Sequence, residues 1–477
     1  MPQEELGHEC GIFAIWAPGA KVAWLTVMAL DGQQTRGQES AGIVTTDGQS
    51  FFVKKGLGLV VQVFPKPRSV RKLKGFAAIG QTRYSTTGRN SLANVQPLYA
   101  KSLVTGEEIY LAHNGNLINA VELKAGLIEQ GEVFRSTNDS EVIAKLLIRA
   151  TGETWADKLR EVMGKLVGSY CLAVLTKEQI LLARDPSGNR PLALGRTNGF
   201  WEAASESGVF NNQPSEFVRE VEPGEIVVID ENGLSSFSQP VKVVQEALCS
   251  FEWIYFLRPD SIFGGVRSAA VRRRAGELLA SRHPVEADLI VPMPRSGFWA
   301  ADGFHRVSKI PLGHGVVSNT HVRVFLNPNE EERQQLYDKK YSALREYVEG
   351  QRIVVVDDSK VRGNSSKRSI AMFKRAGAKE IHYRLSFPPI IDPCYFGIDM
   401  ATKKELIAAG LGSQLEIEKA LAEYFEIDSV GYNSVEDLVS AIGLPQEMLC
   451  LGCVGGRYPY PIVDGFRKDQ FELVTVR

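Results

Sequence analysis

The hydrophobic pattern of the chain changes near residue 250, and this change limits the available folds more than any other feature. Before it, short apolar runs such as 109–112 alternate with Gly-rich turns, and after it the runs 289–292 and 353–356 each lead into a polar loop and a helical pattern. The first pattern is typical of antiparallel α+β domains, and the second of a parallel βαβ sheet. The sequence therefore predicts two domains of different class, with a boundary at about 235–250.

The elements within these domains follow from hydrophobic periodicity and capping residues. We predict a leader at 1–9, a first domain at 10–240, a second at 250–400 and a helical C-terminal extension at 401–477. With 477 residues, the chain is long enough to bury two or three separate cores. Strands are predicted at 11–15, 40–44, 77–80, 109–112, 170–175 and 225–229, and helices near 139–150, 155–167, 403–409, 414–425 and 435–442.

Charge and composition exclude several functional classes. Lys and Arg number 55 against 56 Asp and Glu, and this balance argues against a nucleic-acid-binding or polybasic membrane protein. No run of about 18 apolar residues is present, and the first nine residues, with three Glu, lack the pattern of a secretory signal. We therefore expect a cytoplasmic protein whose six cysteines do not form a disulfide framework.

Cys10 begins an apolar run directly after the acidic leader. Cleavage between Glu9 and Cys10 would give this thiol a free α-amine on the same residue. Such an amine has a pKa of about 8 and can take the proton of its own thiol, so no catalytic histidine is needed. The alternative interpretation is an ordinary half-buried cysteine in a strand.

Four polar segments downstream, at 35–42, 80–88, 113–116 and 136–140, contain groups that this nucleophile could use. Arg83 suits the α-carboxylate of an amino acid through a bidentate pair, and Asp139 suits its α-ammonium. The Asn114 side chain and the Gly115 N–H suit the oxyanion of a thioester-forming step. Each segment also has a structural interpretation: a hairpin turn for Asn114 and Gly115, a helix N-cap for Asp139, and a surface ion pair for Arg83.

A second candidate site follows the apolar run 353–356. Two carboxylates, Asp357 and Asp358, precede a loop of small residues that opens a helix. Loop N–H groups, hydroxyls and the helix N-terminus form a phosphate cradle, and the carboxylates suit ribose hydroxyls, directly or through Mg²⁺. The alternative is a buried strand with a solvated capping loop. The candidate ligand-binding residues of the loop are Ser359, Arg362, Gly363, Asn364, Ser365, Ser366 and Lys367.

Four further cysteines form a third candidate site: Cys249, Cys394, Cys450 and Cys453. The last two have CxxC spacing, and four thiolates suit either tetrahedral Zn²⁺ or a [4Fe–4S] cluster. Spacing alone does not distinguish these metals, and unrelated structural burial is the third interpretation. Cys171, inside an apolar strand, is predicted to be a core residue.

Several motifs together resemble a known family. In chain order they read Cys-Gly-Ile-Phe from Cys10, Arg-Gly-Gln-Glu-Ser-Ala-Gly from Arg36, Thr-Arg-Tyr-Ser-Thr-Thr-Gly from Thr82, His-Asn-Gly-Asn-Leu from His113, Ser-Thr-Asn-Asp-Ser-Glu from Ser136, Arg-Asp-Pro from Arg184 and Ala-Ser-Glu-Ser from Ala204. This set resembles the N-terminal-nucleophile glutamine amidotransferase domain, and the run 353–367 resembles the phosphoribosylpyrophosphate motif of type I phosphoribosyltransferases. From Glu9 to about Pro461, the chain resembles the glutamine phosphoribosylpyrophosphate amidotransferases, which begin purine synthesis.

The resemblance implies a fold and a set of roles. The fold is an α+β N-terminal-nucleophile (αββα) glutaminase domain followed by an α/β type I phosphoribosyltransferase domain with a helical C-terminal tail. Cys10 would be the nucleophile after leader removal, and Arg83, Asn114, Gly115 and Asp139 would have the roles given above. Residues 291–297 resemble the diphosphate-side loop, which places Ser296 with Asp357 and Asp358 on the Mg²⁺ side.

The resemblance also implies an activity, a cofactor and partners. Ammonia from glutamine would be transferred to phosphoribosylpyrophosphate, giving 5-phosphoribosylamine, glutamate and diphosphate. One branch of the family carries a [4Fe–4S] cluster on cysteines in these contexts, which favours a structural iron–sulfur cluster on Cys249, Cys394, Cys450 and Cys453. A homotetramer inhibited by purine nucleotides is expected, with no nucleic-acid or membrane partner.

Departures from the family pattern concentrate in the second half. Arg295 stands where an acidic residue is usual, Lys360 where an apolar one is usual, and Asn364 and Ser365 where two Thr are usual. Residues 322–325 read Val-Arg-Val-Phe instead of Gly-Arg-Thr-Phe, and Thr35 replaces a His. One alternative is therefore a paralogue with glutaminase activity but altered or lost transfer, and another is a non-catalytic regulatory protein with an uncleaved leader. Glucosamine-phosphate and asparagine synthases share the N-terminal chemistry, but neither family carries a phosphoribosyltransferase half.

Overall fold

The computed structural model describes residues 10–84, 91–238, 245–294, 296–318, 341–400 and 402–462, without the side chains of 364 and 365. The predicted leader, Arg295 and the segment 322–325 lie outside the described residues. Within the described ranges, every helix is too short or too polar to cross a lipid bilayer.

The first half is built on two antiparallel sheets that pack face to face. Side chains such as Ile12 and Val44 from one sheet meet Ala173 and Leu182 from the other. The strand order of the seven-stranded sheet is Glu216–Glu220, Ala193–Thr197, Phe200–Ala204, Gly11–Trp16, Ala77–Arg83, Ser40–Thr46, Phe51–Leu57. The order of the six-stranded sheet is Gly233–Ser238, Glu225–Asp230, Ile180–Arg184, Gly168–Leu175, Glu108–Leu117, Leu98–Lys101.

Helices cover both outer faces of this sandwich. Val22–Gly32 packs on the seven-stranded sheet, because Val27 and Leu30 join the core of Phe13 and Ile43. The six-stranded sheet is covered by Ala120–Glu129, Asp139–Arg149 and Trp155–Met163. These three cores separate four layers, and the predicted αββα arrangement is confirmed.

The second half contains a parallel sheet of four strands in the order Leu289–Pro292, Arg352–Asp357, Glu380–Leu385, Ser429–Tyr432. Ser268–Arg282 and Gly297–Ser308 cover one face. These two helices approach closely, since an ideal Cβ at Gly276 would lie 1.9 Å from the Ala300 carbonyl oxygen. Asn364–Arg375 and Gln414–Phe425 cover the other face. The predicted parallel α/β sheet is therefore confirmed.

The C-terminal residues fold onto this second half. Helices Gln414–Phe425 and Val435–Ile442 form as predicted, but the helix predicted at 403–409 is wrong. Only the 3₁₀ turn Lys403–Glu405 forms, because Thr402 and Glu405 cap each other across one turn and Ile407 N–H then donates to the Val361 carbonyl instead of continuing a helix.

The remaining elements are short. Pairs of strands are Leu248–Cys249 with Leu449–Cys450, Ile262–Phe263 with Val266–Arg267, and Val316–Ser318 with Tyr341–Ala343. Short α-helices are Val60–Val63 and Arg345–Val348, a π-helix covers Glu252–Phe256, and 3₁₀ turns cover Pro67–Val70, Leu92–Asn94, Ser207–Asn212, Gln446–Met448 and Gly452–Val454.

Candidate active site

Cys10 lies immediately before the strand Gly11–Trp16 and is only 5% exposed. Its thiol donates to the Tyr84 carbonyl oxygen across 3.6 Å. Burial raises the pKa of the Cys10 thiol to about 11, although the nearby Arg83 guanidinium acts in the opposite direction. The thiol is therefore protonated at neutral pH, and attack on a substrate requires a base that removes its proton.

Two charged side chains predicted to hold an amino acid lie within electrostatic reach of this thiol. Arg83 and Asp139 are both buried, and each acts on the Cys10 thiol. Burial lowers the pKa of Arg83, while Cys10, Glu39 and Asp139 oppose that effect. The structure thus gathers the Arg83 cation and the carboxylates of Asp139 and Glu39 around the thiol, and a cation with a carboxylate is what an α-amino acid requires. The interpretation of Arg83 as a surface ion pair is wrong, because the residue is buried.

Asp139 is the first residue of the helix Asp139–Arg149, and the preceding residue, Asn138, caps that helix. The Asn138 side chain accepts the Ser140 N–H at 3.0 Å, which leaves the Asp139 carboxylate to accept the Leu117 N–H at 3.1 Å. Burial would raise the pKa of Asp139, but His113, 3.6 Å away, and these N–H groups hold it below its usual value. The carboxylate is therefore charged and fixed in orientation.

Asn114 and Gly115 lie in the middle of the strand Glu108–Leu117, so they do not form a hairpin turn. The Ser205 hydroxyl accepts the Ile12 N–H at 3.0 Å and lies 3.5 Å from the Asn114 amide nitrogen, which links Asn114 to the strand of Cys10. Gly115 has φ +145°, and an ideal Cβ there would lie 2.0 Å from the Ser169 carbonyl oxygen. Only glycine fits this position. The oxyanion role of the two residues stays a prediction.

Sequence reasoning missed Arg36, His113 and Ser205 as parts of this site, although each belongs to a motif quoted above. Arg36 is fully buried, and its Nε donates to the Cys10 carbonyl oxygen at 3.2 Å. In the sequence, Arg36 is a charged residue in a short, Gly-containing motif. Such a motif normally indicates an exposed turn, so the burial of Arg36 was not predicted.

The second candidate site lies where the strands Leu289–Pro292 and Arg352–Asp357 end. Ser296 and Ser359 both hydrogen bond to the buried carboxylate of Asp358, the latter at 2.7 Å. Burial, together with the adjacent Asp357, raises the pKa of Asp358 to about 6. The structure therefore brings together the three residues predicted on the Mg²⁺ side, and the raised pKa marks a crowded carboxylate that an added cation would stabilise.

Lys360, one of the departures from the family pattern, pairs with the first carboxylate of this site. Its Nζ lies 2.6 Å from Oδ2 of Asp357, and the Tyr383 hydroxyl donates to the same oxygen at 3.0 Å. Although burial opposes it, the charge of Asp357 holds the pKa of Lys360 well above its usual value. A lysine therefore already neutralises one oxygen of Asp357, and the Mg²⁺ role of that residue stays a prediction.

The predicted phosphate loop connects Asp358 to the helix Asn364–Arg375. Gly363 has φ +80° and precedes the helix, and the Ser366 hydroxyl is buried without a hydrogen-bond partner among the described residues. The Arg362 Nε donates to Glu405 at 2.9 Å, and the Lys367 Nζ lies 3.8 Å from the centre of the Tyr424 ring. These two cations are therefore directed towards the C-terminal residues, and the side chains of Asn364 and Ser365 lie outside the described structure.

The four cysteines assigned to a metal group together beside the second domain. Cys249 and Cys450 are register partners in a short parallel pair, and the Cys453 carbonyl accepts the N–H groups of Ile391 and Asp392, which lead to Cys394. Burial raises the pKa of Cys450 to about 12 and that of Cys453 well above its usual value, and neighbouring cysteines add to both shifts. Among the described residues, no three or more His, Cys, Asp or Glu side chains are arranged around a common metal position. Cys171 is a buried core residue of the strand Gly168–Leu175.

A cysteine before the first strand of an αββα sandwich, with a buried arginine and aspartate acting on its thiol, is typical of the class of amidotransferases with an N-terminal nucleophile. In agreement, residues 82–212 match a family model described as a glutamine amidotransferase domain. The whole chain is 43% identical over 467 residues to an amidophosphoribosyltransferase of Methanothermobacter thermautotrophicus, covering 97% of both chains. It is 39% identical to the amidophosphoribosyltransferase of Bacillus subtilis, covering 96% of this chain and 95% of that one.

Solved structures agree with this assignment. The glutamine phosphoribosylpyrophosphate amidotransferase of B. subtilis complexed with ADP and GMP matches with a TM-score of 0.87 and 38% identity, over 96% of this chain and 99% of that one. A structure described as the allosteric regulatory enzyme of purine biosynthesis matches with a TM-score of 0.88 and 39% identity, over 96% and 97%. The chain belongs to the amidophosphoribosyltransferase family, and the resemblance inferred from its motifs is confirmed.

Proposed function

We propose that the protein transfers ammonia from glutamine to phosphoribosylpyrophosphate, giving 5-phosphoribosylamine, glutamate and diphosphate. One observation carries this proposal: a single chain holds Cys10 within electrostatic reach of Arg83 and Asp139 in one half and the crowded Asp358 at the ends of parallel strands in the other. The alternative is a paralogue that hydrolyses glutamine and uses the second domain only to bind a nucleotide or phosphoribosyl ligand.

The first reaction takes place at Cys10. After the leader is removed, the α-amine of Cys10 takes the thiol proton, and Sγ attacks the side-chain amide carbon of glutamine. Asn114 Nδ2 and the Gly115 N–H stabilise the oxyanion, while Arg83 binds the α-carboxylate and Asp139 the α-ammonium. The amine returns the proton to the departing nitrogen, ammonia leaves, and water hydrolyses the thioester to glutamate.

The second reaction takes place beside Asp358. The ammonia nitrogen forms a bond to ribose C1, the bond from C1 to the diphosphate oxygen breaks with inversion, and the nitrogen loses one proton. Asp358 and Asp357 stabilise the positive charge that develops on the sugar, and the loop from Ser359 to Ser366 binds phosphate. Mg²⁺ held by Ser296, Asp357 and Asp358 would supply positive charge against the diphosphate leaving group. Ammonia must pass between the sites inside the protein, since in neutral water it becomes ammonium, which is not a nucleophile.

The assay that tests the proposal measures both products. Purified protein incubated with glutamine, phosphoribosylpyrophosphate and Mg²⁺ is expected to release glutamate and diphosphate in equal amounts. Glutamate without diphosphate would contradict transfer and favour the paralogue. Intact mass of the active protein is expected to show a chain that starts at Cys10, and an active protein that retains residues 1–9 would contradict the role of the amine.

We further propose that Cys249, Cys394, Cys450 and Cys453 bind a [4Fe–4S] cluster with a structural role. The support is the chemistry of the donor set: four cysteines lie together, three of them with thiol pKa values raised by burial. Cluster iron would hold these sulfurs as thiolates and join the C-terminal residues to the segment at Cys249. Because the solved B. subtilis relative was complexed with ADP and GMP, we also propose purine nucleotides as inhibitors, acting on a homotetramer.

The cluster proposal predicts an iron content. Protein purified without oxygen is expected to be brown, with about four iron atoms per chain. Cys450→Ser should lose most of this iron and destabilise the fold, whereas the matched variant Cys171→Ala, at an equally buried cysteine outside the group, should keep it. A colourless wild-type protein that contains zinc would show that the cluster assignment is wrong.

A further inference from the structure

We propose that Glu252 is a positioning residue for the glutamine site, acting on the main chain of Cys10 through Arg36. The proposal goes beyond the proposed function but rests on Cys10 being its nucleophile. Glu252 begins the π-helix Glu252–Phe256, which follows the last strand of the first half and precedes the second half, whereas Arg36 and Cys10 belong to the first half.

The contacts from Glu252 to Cys10 are direct. Arg36 Nη2 donates to Glu252 Oε1 at 2.8 Å and Nη1 to Oε2 at 3.1 Å, and the Nε of the same guanidinium donates to the Cys10 carbonyl oxygen at 3.2 Å. Both side chains of the ion pair are completely buried. A buried bidentate ion pair holds a planar guanidinium in one orientation, so Glu252 determines where the Nε of Arg36 lies.

Two more charged side chains complete a buried network. Glu206 accepts from Arg36 Nη1 at 3.2 Å, and Arg190 Nη1 donates to Glu252 Oε1 at 3.4 Å. Two arginines and two glutamates give this buried group no net charge, and Arg190 also hydrogen bonds to Cys249. Removing the charge of Glu252 would leave both guanidiniums with Glu206 as the remaining carboxylate of this set.

The network also reaches the strand Glu108–Leu117, which carries Asn114 and Gly115, from the opposite side. Arg190 Nη2 donates to the Phe396 carbonyl at 2.8 Å, and the neighbouring Tyr395 carbonyl accepts from Asn116 Nδ2 at 2.8 Å. An ideal Cβ at Gly397 would lie 3.4 Å from the main chain of Gly115. The segment held by Arg190 therefore packs against the strand that carries the predicted oxyanion donors.

A further arginine holds the π-helix against the second half. Arg272, in the helix Ser268–Arg282, donates to the Trp253 carbonyl at 2.7 Å and to the Leu257 carbonyl at 2.6 Å, and its charge acts on Asp358. Single π-helical turns are uncommon and occur often at functional sites. Hydrogen bonds thus connect the helix Ser268–Arg282 to the π-helix that begins at Glu252, and the pair with Arg36 continues from Glu252 to the Cys10 carbonyl.

This path matters because Cys10 supplies both nucleophile and base. A small displacement of its main chain moves the thiol relative to the substrate and to the Arg83 guanidinium that lowers its pKa, and positional errors of this kind are costly in rate. The hydrogen-bond and electrostatic partners given above for Arg83 and Asp139, which would bind the substrate, do not include Glu252. Loss of Glu252 should therefore lower kcat for glutamine and leave KM nearly unchanged.

The test compares three variants of the full chain. Glu252→Gln keeps the size of the side chain, and kcat for glutamine hydrolysis is expected to fall roughly 10- to 100-fold, with KM changed by less than about threefold. Ammonia-dependent synthesis should stay near the wild-type rate. Glu252→Asp, which keeps the charge, should recover part of kcat. Glu225→Gln removes a carboxylate paired with Arg219 away from Cys10, and it serves as the matched control with unchanged kcat.

Alkylation of Cys10 by iodoacetamide provides a readout that does not need glutamine. It should slow in Glu252→Gln to the same degree as kcat, and Arg36→Lys, which loses the bidentate ion pair, replaces this variant if it does not fold. Wild-type rates of hydrolysis and alkylation in a folded variant would overturn the proposal, and so would an equal loss of ammonia-dependent synthesis. If the wild type itself released no glutamate, the proposed function would fail, while alkylation would still test the positioning of Cys10.

Discussion

Replacement of Cys10 by alanine is expected to abolish glutamine-dependent synthesis while ammonia-dependent synthesis continues. The loss should be at least about 10³-fold, because the variant removes the only atom that attacks the amide. Added ammonium salt at mildly alkaline pH supplies ammonia directly, so the second reaction no longer depends on the first. Diphosphate release with each nitrogen source, measured on the same preparation, gives both rates.

The design of this experiment must separate chemistry from maturation. The variant is therefore produced with alanine directly after the initiating methionine, so that leader removal does not differ from that of a wild-type chain produced in the same way. Cys171→Ala is the matched control, since Cys171 is equally buried but lies in the core between the two sheets. A parallel loss of both activities in Cys10→Ala would mean that the two reactions do not occupy separate sites.

Asp358→Asn is expected to impair phosphoribosyl transfer and to leave glutamine hydrolysis largely intact. Phosphoribosyl transfer should fall roughly 10²- to 10³-fold with either nitrogen source, the range found when one group that stabilises transition-state charge is removed. The substitution keeps the shape of a side chain that bonds Ser296 and Ser359 but removes its negative charge. Diphosphate release reports the transfer, and glutamate release reports the glutamine site, which should retain most of its activity.

Asp288→Asn provides the control at the opposite ends of the same strands. The Asp288 carboxylate accepts the Arg352 N–H at 2.9 Å at the start of the strands whose other ends carry Asp358. This pair is partly exposed, so its loss should cost little stability and leave transfer unchanged. Normal transfer by Asp358→Asn would remove this carboxylate from the proposed mechanism.

Lys360 is the reason for substituting Asp358 and not Asp357. It places a positive charge on Asp357 from within the chain, where the family pattern has an apolar residue. Asp358, by contrast, bonds the uncharged hydroxyls of Ser296 and Ser359, although the charges of Lys360 and Arg272 also act on it. Of the two carboxylates, only Asp357 has a direct ion pair in the contacts given above, so Asp358 is the better position for the substitution.

Much of the fold could be predicted from local patterns, and the errors have local explanations. Alternation and glycine turns indicated the antiparallel half, and apolar runs followed by polar loops indicated the parallel half, because burial on one or both faces of a strand leaves these signatures. The strand predicted at 109–112 extends to Leu117, since its polar residues His113 and Asn114 pair with the buried strand Gly168–Leu175. Polar residues at a site between two sheets do not follow the alternation of a surface strand.

The chemistry-bearing residues, and the family that they indicate, could be read from the printed order of amino acids, since nucleophile, charge pair and acidic loop are short motifs whose residue types the reactions require. The hydrogen-bond and ion-pair partners of these residues could not be predicted in this way. That Arg36 bonds the Cys10 carbonyl and Glu252, that Asn138 rather than Asp139 caps its helix, and that Lys360 occupies Asp357 depend on contacts between distant segments. Such contacts arise only when the chain packs, because a buried charge must find its counter-charge wherever the tertiary structure brings one within reach.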